Sequence, residues 1–184
     1  RTIMTSLNKC FAISILLAAC GSDDPSGPGV GGDDQTPPMG ATAVEAWLGD
    51  GAYKSWAAEA AVHASREPSP HGFNRIFSND LIAANATGSA AWPKGSASVK
   101  ELYSDVGGGT PIGVAVYLKL DDDSADGANW YWYERIEGSG VVADGTGDSG
   151  TAKSICVGCH AGAGIDAAHT PTVGGRDQVY TPVP

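Results

Sequence analysis

The clearest pattern in the chain runs from Ile112 to Leu120. There Ile112, Val114, Val116, Leu118 and Leu120 alternate with Gly113, Ala115, Tyr117 and Lys119. A period of two puts the first set on one face of a β-strand and the second on the other. Shorter runs of the same kind predict strands over Phe73–Phe77, Ser96–Tyr103 and Trp130–Ile136. Upstream the period lengthens. Thr42-Ala43-Val44-Glu45 has the form of a capping box, and helical spacing continues through Tyr53, Trp56, Ala57, Ala60 and Ala64. Gly49 and Gly51 are the places where this helix divides, and Pro68 and Pro70 end it. Asn79–Asn85 reads as a short helix, residues 137–150 as a loop, and Thr151–Cys159 as a short helix. The order predicts an α+β domain: mainly an antiparallel β-sheet, with an N-terminal helix and a C-terminal helix that carries two cysteines.

The first forty residues stand apart from this domain. Lys9 precedes an apolar run from Phe11 to Ala19 that is too short for a permanent membrane span. Leu17-Ala18-Ala19-Cys20, followed by Gly21 and Ser22, looks like a bacterial lipobox. Residues 1–19 are therefore expected to be a lipoprotein signal peptide, with Met4 as the translational start and Cys20 as the lipidated first residue of the mature chain. Gly21 favours the outer membrane and a periplasm-facing protein, held to the membrane through its lipid only. Residues 20–40 are Gly, Pro, Ser and Asp almost throughout, too polar to bury a core, and form a flexible tether. The domain proper spans residues 41–184.

Charge and cysteine content narrow the chemistry. Signal cleavage removes Arg1 and Lys9, leaving nine basic against 21 acidic residues, a net −12. No Lys/Arg cluster is present, which excludes nucleic acid as a partner. Such a field suits a nitrogenous small molecule or a basic redox protein. Of the four cysteines, Cys10 leaves with the signal and Cys20 takes lipid, so only Cys156 and Cys159 remain and no disulfide framework exists.

Those two belong to Cys156-Val157-Gly158-Cys159-His160, the C-x-x-C-H pattern of covalent haem c attachment. Two cysteines three apart on a helical turn share a face and reach the two vinyl groups of one porphyrin, and the next residue offers its imidazole to the iron. A thioredoxin-type pair calls for a βαβ context and no histidine; zinc calls for two further ligands at motif spacing. One covalent haem c, with His160 as axial ligand to the iron, is the expectation. Opposite His160, a methionine would mark an electron carrier. The only one in the mature chain is Met39, in the tether. His63, at helical spacing, His71, between prolines and a strand, and His169, close behind the motif, are the other candidates. None is well placed, and an open distal position is expected.

Several stretches, taken in order, resemble the cytochrome P460 family, which includes the cytochromes c′-β. They are His71–Asn79, Trp92–Glu101, the strand to Leu120, Asn129–Tyr133, the haem motif, and Asp177–Thr181. The resemblance implies an antiparallel β fold with flanking helices, a homodimer and a five-coordinate haem c. It also implies that Lys100 is the lysine bonded to the porphyrin in P460 proteins proper; on pattern alone Lys100 reads as a surface lysine sharing a strand face with Ser98 and Leu102. Arg75 matches an arginine near the distal pocket. Asp121 falls where hydroxylamine-oxidising members have a proton-moving glutamate, although here it opens an Asp121-Asp122-Asp123 run that by itself reads as a solvated turn. A calcium loop begun by Asp122, Ser124 and Asp126 lacks its closing glutamate, because Tyr133 stands there.

The function expected from this resemblance is oxidation of a small nitrogen compound, hydroxylamine or nitric oxide, with electrons passed to a redox acceptor protein. The alternative is a non-catalytic nitric-oxide-binding protein with an apolar pocket capped by Phe73 or Phe77. An electron carrier stands third, for want of a methionine.

Overall fold

The computed structural model describes residues 36–164 and 175–184. The signal segment, Cys20, most of the tether and His169 lie outside the described residues.

Helix α1 (Ala41–Asp50) is entered through Gly40, with no side-chain cap. The expected capping box does not form. Its glutamate, Glu45, instead accepts hydrogen bonds from the Tyr133 hydroxyl and, at 2.6 Å, from Arg135 Nε. Gly51, in the left-handed conformation at φ 71°, ends the helix. One 3₁₀ turn, Ala52–Ser55, follows. Helical geometry then stops, although the spacing predicted it as far as Ala64. The chain forms two short strands instead, β1 (Ala57–Ala58) and β2 (His63–Ala64). Glu59, between them, explains the change: its carboxylate accepts the Ile76 N–H at 2.9 Å and pairs with His63 at 2.8 Å and Arg66 at 2.7 Å. Docking to the next strand overrides the helical preference of this alanine-rich stretch.

Strand β3 (Phe73–Ser78) leads to helix α2 (Asp80–Asn85), capped by Asn79 accepting the Ile82 N–H at 3.3 Å. Strands β4 (Ala97–Tyr103), β5 (Gly113–Lys119) and β6 (Trp130–Ile136) fall where alternation predicts them. Strand β7 (Gly140–Thr146) occupies the stretch expected to be a loop. Every pairing is antiparallel, in the order β1-β3-β4-β5-β6-β7, with β2 also on β3. The fold is α+β with a β-rich core, as the pattern implies.

Alternation gives the sheet two working faces. On one, Val44, Tyr53 and Trp56 pack against Phe77, Val99, Val116 and Tyr131. The other carries Trp130 and Trp132, packed with Ile82, Trp92, Ala152 and Val179. The chain reaches this second face through a π-helical turn (Ala152–Val157) and helix α3 (Gly158–His160), and again in residues 175–184. Among the described residues no helix is long and apolar enough to cross a membrane.

Candidate functional site

The cysteine motif lies against the second face of the sheet. Cys156 sits in the π-helical turn and Cys159 in α3, both as free thiols. Burial and the charge of Glu134 push the Cys156 thiol up to about 11. That is the reverse of the depressed thiol that a redox-active Cys pair needs.

His160 is oriented by the backbone. Its Nδ1 lies 2.6 Å from the carbonyl oxygen of Gln178. A carbonyl only accepts, so Nδ1 carries the proton and Nε2 is left with its lone pair. Burial, followed by the charge of Lys100, pushes the imidazole pKa down to about 3, so the ring stays neutral at any physiological pH. Aromatic rings hold its plane: Trp132 at 4.6 Å between centroids, Tyr180 at 5.6 Å and Tyr117 at 6.1 Å. The Tyr180 hydroxyl also donates to the Cys159 carbonyl at 2.8 Å.

The Gln178 carbonyl comes from a two-residue turn closed by paired hydrogen bonds between Arg176 and Val179, at 3.0 and 2.9 Å. Its central residues, Asp177 and Gln178, have φ of 45° and 68°. This is the I′ arrangement that Asn-Gly usually fills. With side chains at both positions it costs about 1–2 kcal/mol per residue.

In front of the motif opens a cavity of ≈ 500 Å³ lined by Lys100, Ala115, Tyr117, Trp132, Glu134, Cys156, Cys159 and His160, with Leu102, Ile112, Val142 and Ile155 making its wall mostly apolar. A smaller lobe of ≈ 160 Å³ shares Lys100, His71, Cys159 and His160 and adds Arg66, Asn74 and Thr181. Lys100 is thus not a surface lysine. Enclosure lowers its pKa, with Glu134 and Glu59 partly opposing the effect.

The register explains which charges meet. Lys100 pairs with Ala115, and Ala115 with Glu134, so the three form one row across β4, β5 and β6. His71, from the loop before β3, reaches the same row, with Nδ1 3.1 Å from Glu134 Oε1. Glu134 was not among the residues singled out from the sequence. Its one local signal is a carboxylate at an alternating position of the otherwise aromatic strand Trp130-Tyr131-Trp132-Tyr133.

The structure does not bring Arg75 or Asp121 to this cavity. Arg75 shares a face with Phe77, on the side of α1. Its Nε donates to the Glu59 carbonyl at 2.8 Å, and its guanidinium lies 5.0 Å from the Phe77 ring centre. Neither Phe73 nor Phe77 lines the cavity; Phe77 packs edge-on to Tyr53 at 5.3 Å. Asp121 is exposed in an acidic turn whose carboxylates cap backbone N–H groups: Asp121 that of Asp123 at 3.2 Å, Asp122 that of Lys94 at 2.8 Å, Asp123 that of Ala125 at 2.9 Å. His63 is committed to Glu59.

The donor set suits a haem c. Two thiols and a neutral imidazole with a free Nε2 border an apolar cavity of a size common for bound cofactors, about 300–1,000 Å³. Among the described residues no three His, Cys, Asp or Glu side chains gather into a metal site. Compared with the models of known protein families and with curated proteins, the chain matches none.

Proposed function

We propose that this protein is a mono-haem c-type cytochrome of the P460 kind, acting on a small nitrogen compound such as hydroxylamine or nitric oxide. The single observation that carries the reading is His160: a half-buried, neutral imidazole whose Nδ1–H donates to a backbone carbonyl, directly after a cysteine pair that borders the same cavity. Cys156 and Cys159 would hold the haem through thioether bonds, and His160 would offer Nε2 to its iron. When bound, the haem supplies an iron centre that takes a small ligand and exchanges electrons with an external acceptor protein.

The remaining groups of the cavity have assignable work. Glu134 and His71, 3.1 Å apart, hold and pass a proton between Oε1 and Nδ1, the task expected of Asp121 from the family pattern. Enclosure lowers the Lys100 pKa, which eases release of its ammonium proton and supports its reading as the lysine bonded to the ring. Leu102, Ile112 and Val142 limit the water that reaches these groups. Export to the periplasm, a lipid on Cys20 and self-association as a homodimer belong to the same reading, since haem c is attached outside the cytoplasm.

The apolar wall favours one second reading, a nitric-oxide-binding protein without turnover. Expression with haem-maturation machinery, followed by intact mass and pyridine haemochrome spectra, tests the shared part. One haem per chain is expected, lost in Cys156→Ser/Cys159→Ser; a wild-type chain of apoprotein mass would overturn the proposal. Stopped-flow mixing with hydroxylamine and an acceptor separates the two readings. Sustained acceptor reduction is expected of the enzyme, and reduction that stops at one haem equivalent leaves gas binding.

A further inference from the structure

We propose that Asp177 is the positioning residue for the axial histidine: its buried contacts lock the Asp177–Gln178 turn, so that the Gln178 carbonyl is held on His160 Nδ1. The inference rests on the haem reading above.

Asp177 is fully buried, and it is held from three directions. Its Oδ2 lies 2.6 Å from Lys119 Nζ, at the end of β5, in a pair with no exposed side-chain surface. The same oxygen accepts the Trp92 N–H at 2.9 Å, and Oδ1 accepts the Ser124 hydroxyl. Ser124 Oγ is in turn held by Trp130 Nε1 at 3.2 Å, and Lys119 Nζ lies 5.6 Å from the Trp130 ring centre. Next door, Arg176 is fixed by its Nε on the Ala90 carbonyl at 2.6 Å and its guanidinium 3.5 Å from the Trp92 ring centre.

A buried ion pair is a poor source of net stability, because desolvating both charges cancels most of their attraction. This one has a different use. It anchors a turn whose two central residues sit in a backbone region that side chains disfavour, and such conformations persist only where the surroundings over-determine them. Gln178 then joins the turn to the haem segment twice: its N–H donates to the Gly164 carbonyl at 2.8 Å, and its carbonyl accepts from His160. A main-chain carbonyl cannot be tuned by its own side chain. Its hold on His160 is set through Asp177. A strong acceptor on Nδ1–H makes Nε2 a better donor to iron, stabilising the oxidised metal.

The test is made on holoprotein. Asp177→Asn is expected to keep one haem per chain while the ferrous iron–histidine stretch moves to lower frequency and the reduction potential rises. Ser124→Ala, which removes one anchor of Asp177 without touching the turn, should give a smaller shift of the same sign. Glu101→Gln, on the opposite face of the sheet, should lower thermal stability and move neither signal. If Asp177→Asn fails to fold, Ser124→Ala alone decides. Unchanged stretch and potential in the folded variants overturn the role of Asp177 and leave the haem reading intact, whereas a wild-type chain without haem overturns the haem reading first.

Discussion

Lys100 and Glu134 stand in one row of the sheet on either side of Ala115, so an amine and a carboxylate border the same cavity across a floor of a single methyl group. The row turns a flat β-surface into a slot with charged flanks. It also tells which substitutions matter.

Glu134→Gln keeps the shape of the side chain but removes its capacity to take a proton. Turnover of hydroxylamine is expected to fall by about 10²–10⁴-fold, with haem content unchanged. Asp121→Asn, in an exposed turn, should leave turnover at the wild-type rate. Equal losses in the two variants would break the assignment of proton transfer to the cavity pair.

Ala115→Phe fills the slot between the two charges. Circular dichroism should report an intact sheet, because residue 115 is half-exposed on the cavity side. Haem incorporation should drop sharply, and a variant that still takes up one haem per chain would show that the group binds elsewhere.

The reading of Lys100 as a ring-bonded residue has a direct chemical check. After proteolysis of the wild type, the peptide containing Lys100 should remain joined through haem to the peptide containing Cys156 and Cys159. In Lys100→Met the joined species should be absent. Separate peptides from the wild type would reduce Lys100 to a polar wall of the cavity.

Acid should loosen the first strands before the rest. Burial acts to raise the pKa of Glu59, but hydrogen bonds from His63, Arg66 and the Ile76 N–H outweigh it and hold the carboxyl below the usual range. A carboxylate with a lowered pKa in the folded state stabilises above its unfolded pKa, and that contribution disappears as pH falls through the folded value. Protection of the Ile76 amide and of those around His63 against hydrogen exchange, corrected for the intrinsic rate, should therefore fall below the ordinary carboxylate range. Glu59→Gln should remove this acid step and show low protection at all pH values.

On the far face, Glu101 is buried beneath the hydroxyls of Tyr53, at 2.5 Å, and Tyr103, with Lys54 at 3.1 Å. Glu101→Gln should cost about 1–3 kcal/mol in denaturant unfolding, the range for a hydrogen-bonded charge, with the haem absorption bands unmoved. A shift of those bands would mean that the two faces of the sheet are coupled.

Part of this fold is legible in the chain itself. Alternation located β5, the shorter apolar runs located β4 and β6, and the cysteine motif marked the segment that the structure lays against the second face of the sheet. The errors have physical causes. Residues 57–64 carry helical spacing in small residues, but the decisive interaction is Glu59 with β3, some seventeen positions away. Strand β7 was missed because Gly140, Gly145 and Asp144 dilute its pattern, while the edge of β6 supplies the pairing. Arg75 and Lys100 lie on opposite faces because Ile76, not Arg75, faces the cavity beside Lys100 in the register. Parity within each strand was visible, but the register between strands was not. The contact of His71 with Glu134 and the aim of the Gln178 carbonyl are likewise products of folding across distant segments.

The unbroken sequence of β3, β4, β5, β6 and β7 in the sheet carries a kinetic consequence. Each strand pairs with the one made just before it, so the pairings are local, the longest connection being residues 79–96 with α2, and the entropic toll of assembly stays low. The slot with its Lys100 and Glu134 flanks is topologically finished by Thr146. Cys156, Cys159 and His160 come afterwards in the chain, on a separate segment that packs against this sheet. Under the proposed haem reading, this order would leave the two thiols accessible to an attachment apparatus while the strands that enclose the product pair with one another.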